Sequence, residues 1–192
     1  MILPIVAYGH PVLRKLATDI TSGYPQLDKF IADMWETMYA SSGVGLAAPQ
    51  VNKDIRLFVV DTIQMFNGMN EEEQKEYPDA PGIKEVFINA HIAELEGDEW
   101  PYNEGCLSIP KIREDIYRQE SVTLHYCDEH FQELTKTFTG LSARVILHEY
   151  DHIEGKLFID HISPLKRKLI KGKLNDISKG KVNVDYKMLF PG

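Results

Sequence analysis

His148-Glu149-Tyr150-Asp151-His152 sets two imidazoles four residues apart, with a carboxylate directly after the first. On an α-helix, positions i and i+4 share a face, so both rings can reach one metal ion. Glu149 projects about 100° round the helix from His148, near enough to handle a proton of water at the metal without ligating it. A chain of this size with 7 histidines holds such a pattern by chance on the order of 0.02 times. The chemistry in view is metal-assisted, and the motif alone names no substrate.

The element that positions these groups is legible upstream. Leu141, Val145, His148 and His152 follow a 4-3-4 spacing, so the histidine stripe continues as an apolar stripe. A helix is expected from about Leu141 to Glu154, ended by Gly155 in a left-handed conformation. A plain core helix would leave two buried imidazoles each in need of a partner. A metal held by two histidines needs a third protein ligand if it keeps one open position. Cys106 lies in Glu104-Gly105-Cys106-Leu107-Ser108-Ile109-Pro110, where Gly105 allows close backbone approach and Pro110 stiffens the exit. Cys127, at the end of an alternating strand, reads more simply as a small buried hydrophobe. Cys106 is favoured, but spacing alone leaves the third ligand open. A third stretch, Gly43-Val44-Gly45-Leu46-Ala47-Ala48-Pro49-Gln50, combines glycines that admit a ligand with an amide carrying two donors.

Composition bounds the rest. The chain has 192 residues and 22.0 kDa, with 43% hydrophobic and 26% charged residues, as expected of one soluble domain spanning 1–192. No apolar run approaches the length of a membrane span, and the first residues lack the basic start and apolar core of a signal peptide. Two cysteines argue against a disulfide framework and fit a reducing, cytoplasmic setting. A net charge of -8 disfavours general affinity for nucleic acid, DNA included.

Gln26 to Ser41 carries a helical apolar period, and Ile55 to Asp61 reads as a strand after the turn signal Asn52-Lys53-Asp54. Met65 to Gly82, rich in Glu, Pro and Gly, reads as a solvated surface insertion with at most a short helical turn, and no chemistry is assigned to it. Val86–Asn89 and Val122–Tyr126 read as strands, and Cys127–His130 as a hairpin turn leading to a strand from Phe131 to Phe138. From Pro164 to about Ile177, the residues Leu165, Leu169, Leu174 and Ile177 predict an amphipathic helix bearing Lys166, Arg167, Lys168, Lys171 and Lys173. The expected class is α+β: mostly antiparallel sheets packed around a central metal-binding helix, with an N-terminal and a C-terminal helix.

The three glycine-, cysteine- and histidine-bearing stretches, in this order, closely resemble the three motifs of peptide deformylases, Gly-x-Gly-Leu-Ala-Ala-x-Gln, Glu-Gly-Cys-Leu-Ser and His-Glu-x-Asp-His. The resemblance implies that Cys106, His148 and His152 bind one divalent metal ion and that Glu149 is the catalytic acid/base. Gln50 and the backbone N–H of Leu107 would hold the carbonyl oxygen as it gains charge. Gly45 would contact the peptide backbone, and Val44, Leu141 and Val145 would line a pocket for a methionine side chain. The reaction implied is removal of the formyl group from N-formylmethionyl nascent peptides, with formate as product. One thiolate and two imidazoles suit Zn²⁺, Fe²⁺, Co²⁺ or Ni²⁺, and the resemblance points to Fe²⁺ as the native ion. It also suggests that the basic C-terminal helix contacts the ribosome. Arg144 stands one helical turn before His148, where many relatives carry an apolar residue, and suggests a less apolar pocket rim.

Two other readings compete. A zincin-like metallopeptidase shares the helix motif but usually takes its third ligand from His or Glu. A non-catalytic metal-stapled module would supply four protein ligands and would give no reason for Glu149 or Gln50.

Overall fold

The short strands expected at Val86–Asn89 and Val122–Tyr126 turn out to be the buried ends of one long hairpin. In the computed structural model, which describes residues 1–192, the chain starts with strand β1 (Ile5–Val6) and helix α1 (Leu27–Ala40). Strands β2 (Gly45–Ala47) and β3 (Leu57–Asp61) flank a 3-10 turn at Ala48–Val51. Two short helices, α2 (Ile63–Asn67) and α3 (Glu71–Gln74), precede the hairpin strands β4 (Lys84–Cys106) and β5 (Ile109–Cys127). Strand β6 (Glu133–Thr139) then runs into helix α4 (Gly140–Ile153). Helix α5 (Pro164–Ser178) and strand β7 (Met188–Leu189) close the chain.

The class is α+β. Strands β2-β3-β4-β5-β6 form one sheet in that order, antiparallel at every pairing. β1 and β7 form a separate parallel pair. Much of the hairpin was invisible as strand because Glu94, Glu96, Asp98 and Glu99 are exposed and neither face there is apolar. The hydrophobic alternation that marks a half-buried strand is therefore missing. Register shifts between Ile88 and His91, and again at Ile92–Glu94 and Glu96–Glu99, bend this arm. At the first shift Asn89 adopts φ +52, and its side chain bonds the backbone of Ile20 at 2.8 and 2.7 Å.

Helix α4 packs against β2, β3, β5 and β6 and is buried on nearly every side. Its apolar residues Ala143, Val145, Ile146, Leu147 and Ile153 join Phe58, Phe87, Val122 and Phe138 in one core cluster. A helix so enclosed can carry His148, Glu149, Asp151 and His152 only if their polar atoms find partners. Gly155, at φ +70, ends the helix as expected.

Three sequence expectations need correction here. Segment 65–82 is more than a solvated insertion: Phe66 is 1% exposed and stacks edge-on against Tyr77. Asp79 from this segment caps α4, accepting from Leu141 N at 3.2 Å, Ser142 N at 2.7 Å and Ser142 Oγ at 2.7 Å. Thr139, the residue in the cap position, makes no such bond. In α5, Ile170, Leu174 and Ile177 face the core, whereas Leu165 and Leu169 are 69% and 75% exposed. The 3.6-residue period carries that leucine pair well round the helix from the buried stripe. Finally, Phe131 adopts φ +59 inside the turn held by Asp128, so β6 starts at Glu133.

Candidate metal centre

The two-residue turn Leu107–Ser108 joins β4 to β5, so Cys106 sits at the very end of a strand. α4 brings His148 and His152 beneath it. One ligand atom from each of Cys106, His148 and His152 lies within 4.8 Å of the others. Cys106 Sγ is 3.3 Å from His152 Nε2. Glu104 Oε2 accepts from His148 Nδ1 at 2.9 Å, which leaves His148 Nε2 directed at the centre. Cys127 pairs with Ile88 in the sheet and takes no part.

The donor set fits a resident divalent cation. Burial alone would raise the Cys106 thiol, but the charge on His152 and hydrogen bonds from both histidines bring it down to about 5. A thiolate between two imidazoles, itself on a wall of the cleft, is a three-ligand set for a borderline-soft ion with one position left. His152 Nδ1 is buried and has no partner within the chain.

Glu149 is 4% exposed, and burial pushes its carboxyl up to about 7. Its Oε2 is buried without a partner. Gly45 makes room for it: a Cβ there would fall 2.5 Å from Glu149 Oε1. Gln50, 2% exposed, accepts from Ala47 N at 2.9 Å and turns its Nε2 toward Cys106 Sγ at 3.5 Å and Ser108 Oγ at 3.4 Å. All three motifs thus converge.

A cleft of about 640 Å³ opens at the centre, and Gly43, Val44, Gly45, Met65, Val145 and Glu149 are among its lining residues. Leu107 and Ile109 line it as well. Leu141 is fully buried and does not line the cleft. Arg144 lays no free charge on the rim. It is 2% exposed, its guanidinium stacks 4.4 Å over Trp100, and it donates to Glu104 Oε1, Ile116 O and Trp100 O.

Glu104, two residues before Cys106, has a role that its place in the sequence does not reveal. Arg118 donates to both its oxygens at 2.7 and 3.1 Å, and Arg144 and His148 add further bonds. Burial would raise Glu104, but the hydrogen bonds from His148 and Arg118 hold it well below the usual carboxylate range. Arg118 also donates to Asp151 Oδ2 at 2.8 Å, which lies 2.7 Å from His161 Nε2. The available signal was chemical: a metal-binding histidine ordinarily gives its other nitrogen to a carboxylate or carbonyl. Nothing in the sequence pointed to Arg118 or His161.

The chain matches the polypeptide deformylase family over residues 2–168. It is 54% identical over 193 residues to a peptide deformylase of Christiangramia forsetii, covering 100% of this chain and 97% of that protein. It is 56% identical over 190 residues to one from Flavobacterium johnsoniae, covering 99% and 96%. Among solved structures, a peptide deformylase from Legionella pneumophila is similar at TM-score 0.77 and 34% identity, covering 94% of this chain and 98% of that one. One from Plasmodium falciparum is similar at TM-score 0.78 and 32% identity, covering 92% and 95%.

Proposed function

The chain belongs to the polypeptide deformylase family, and from that premise we propose how its residues share the work. The enzyme is a hydrolase that removes the formyl group from the N-terminal N-formylmethionine of newly made polypeptides. We read residues 1–192 as one deformylase domain, with α4 the central element and α1 and α5 flanking it. Cys106, His148 and His152 hold the metal on which this family depends. When bound, a divalent cation supplies Lewis acidity and brings the pKa of a water from about 15.7 toward neutrality. Fe²⁺ is the native ion in our reading, with Zn²⁺, Ni²⁺ or Co²⁺ accepted by the same donors.

Glu149 takes the proton from the water that attacks the formyl carbon. It later returns that proton to the departing amine, and formate leaves. Its enclosure beside Gly45 keeps bulk water from competing for the carboxyl. The Gln50 amide and the Leu107 N–H donate to the formyl oxygen as it gains charge; one such donor is worth about 3 kcal/mol in hydrolases. Gly45 meets the peptide backbone. Val44 and Val145, with Met65, form the walls for the methionine side chain.

The basic face of α5 docks on the ribosome in this reading, and the work is done in the cytoplasm. Leu165 and Leu169, exposed four residues apart among Lys166, Arg167 and Lys168, support a docking face over a merely solvated one. No helix of the chain is long and apolar enough to cross a membrane.

The observation that carries the catalytic assignment is the grouping of Cys106, His148 and His152, with Cys106, His148 and Glu149 all lining one cleft. The test is formate release from a formyl-methionyl peptide, with and without a chelator. Release is expected to stop when metal is removed. Glu149→Ala is expected to keep the fold and the metal while losing at least about a hundredfold in turnover. Internal cleavage of unformylated peptides, with no formate, would instead mark a metallopeptidase.

A further inference from the structure

Both carbonyls of the turn that follows Cys106 are held by opposite ends of the chain. The Tyr8 backbone N–H donates to Ser108 O at 2.8 Å. The Tyr186 hydroxyl donates to Leu107 O at 2.8 Å. These two ends are themselves stitched together, since β1 pairs in parallel with β7 through Ile5↔Met188 and Val6↔Leu189. Ile5 N donates to Lys187 O and Ala7 N to Leu189 O, each at 2.8 Å. Met188, Leu189 and Phe190 pack on a core cluster containing Val6, Leu13, Ile109 and Phe158, which anchors the strap. Tyr186 is half-buried, and with Val184 and Asp185 it also lines the cleft.

We propose that Tyr186 is a positioning residue: through Leu107 O it holds the turn that sets both the Cys106 sulfur and the Leu107 N–H. The physical reason is that a turn of two residues is free to exchange conformations by flipping the peptide plane between them. Such a flip turns ψ of Leu107 against φ of Ser108, so a held Leu107 carbonyl anchors the residue that carries the N–H and directly follows Cys106. One hydrogen bond to each turn carbonyl locks both planes. Gln50, which donates to Ser108 Oγ from the other side, completes the clamp. The C-terminal strap is therefore part of the active site, although it lies 34 residues beyond the last metal ligand, His152.

This inference rests on Cys106 being a metal ligand, and its test has a readout independent of formate. Full-length, metal-loaded Tyr186→Phe keeps the ring and loses only the hydroxyl. Metal loss to a chelator is expected to speed up, and kcat to fall, each by about three- to tenfold, the effect of one neutral hydrogen bond. KM for a formyl-methionyl tripeptide is expected to stay within about twofold. Met188→Ala serves as the control, because it loosens the strap's anchor without removing the hydroxyl. If Tyr186→Phe lowers the melting temperature as Met188→Ala does, yet leaves metal loss and kcat at parental values, the residue is only a structural peg and the proposal is wrong. Unchanged values throughout would overturn it too. Faster metal loss in a protein whose parent releases no formate would uphold the positioning role and sink the deformylase chemistry instead.

Discussion

Glu104 receives four hydrogen bonds, from His148, twice from Arg118 and from Arg144, at a side chain 4% exposed. Two guanidiniums and two carboxylates, Glu104 and Asp151, balance one another behind the metal histidines. Such a cluster gains little over an apolar core, but removing one member leaves its partners buried and unpaired. Glu104→Gln keeps the shape and deletes the charge. It is expected to cost about 3–5 kcal/mol of stability. It should also weaken metal binding about 10- to 100-fold, because His148 loses the acceptor that orients its ring. Denaturant titration and chelator competition read the two effects separately. A variant that binds metal like the parent would show that Glu104 holds the two arginines and nothing more. The same burial explains Arg144: a cation one turn before a metal ligand looks like a rim residue until Trp100 and Glu104 enclose it.

At the scale of elements, α4 depends on a partner 61 residues earlier in the chain than its own start. Asp79 satisfies two backbone N–H groups at the helix N-terminus, where the dipole favours a carboxylate. Gly140 leaves the room: at φ +57, any Cβ there would fall 2.0 Å from Asp79 Oδ1. Asp79→Ala is expected to cost about 1–2 kcal/mol, the upper range for a lost cap. Asp79→Asn should lose less, and Gly140→Ala should lose more than Asp79→Asn because it adds strain to the lost contact. Because the cap lies one turn from Val145, KM for the formyl-methionyl substrate should rise in Asp79→Ala more than kcat falls. A kcat loss with KM unchanged would place the effect at the histidines instead.

Across the whole molecule, a net charge of -8 coexists with five cations on α5. Two of them are engaged: Lys166 pairs with Glu114 at 3.0 Å, and Arg167 donates to Asp160 O at 3.0 Å. Lys168, Lys171 and Lys173 stay free for phosphate contacts. Replacing all five cations by glutamine is expected to abolish ribosome co-sedimentation, and in the parent that binding should weaken steeply with added salt through counterion release. Undiminished co-sedimentation of the neutralised protein would end the docking reading, while formate release from free peptides should be the same in both.

The helix bearing His148 and His152 was legible because apolar periodicity and ligand spacing follow one local geometry, the 3.6-residue turn. Cys106 and Gln50 were legible as residue types in glycine-bearing turns, and Val86–Asn89 and Val122–Tyr126 as the short strands that form the buried ends of β4 and β5. Local rules carry no information about distance, however. The choice of Cys106 over Cys127, the enclosure of Arg144, the Asp79 cap and the Tyr186 strap each join residues far apart in sequence. The exposed arm of the hairpin was hidden for a related reason, since a strand with no buried face leaves no apolar pattern. The sequence by itself determined which groups could do chemistry; the tertiary fold decided which of them meet, because burial and long-range hydrogen bonds exist only once distant segments pack.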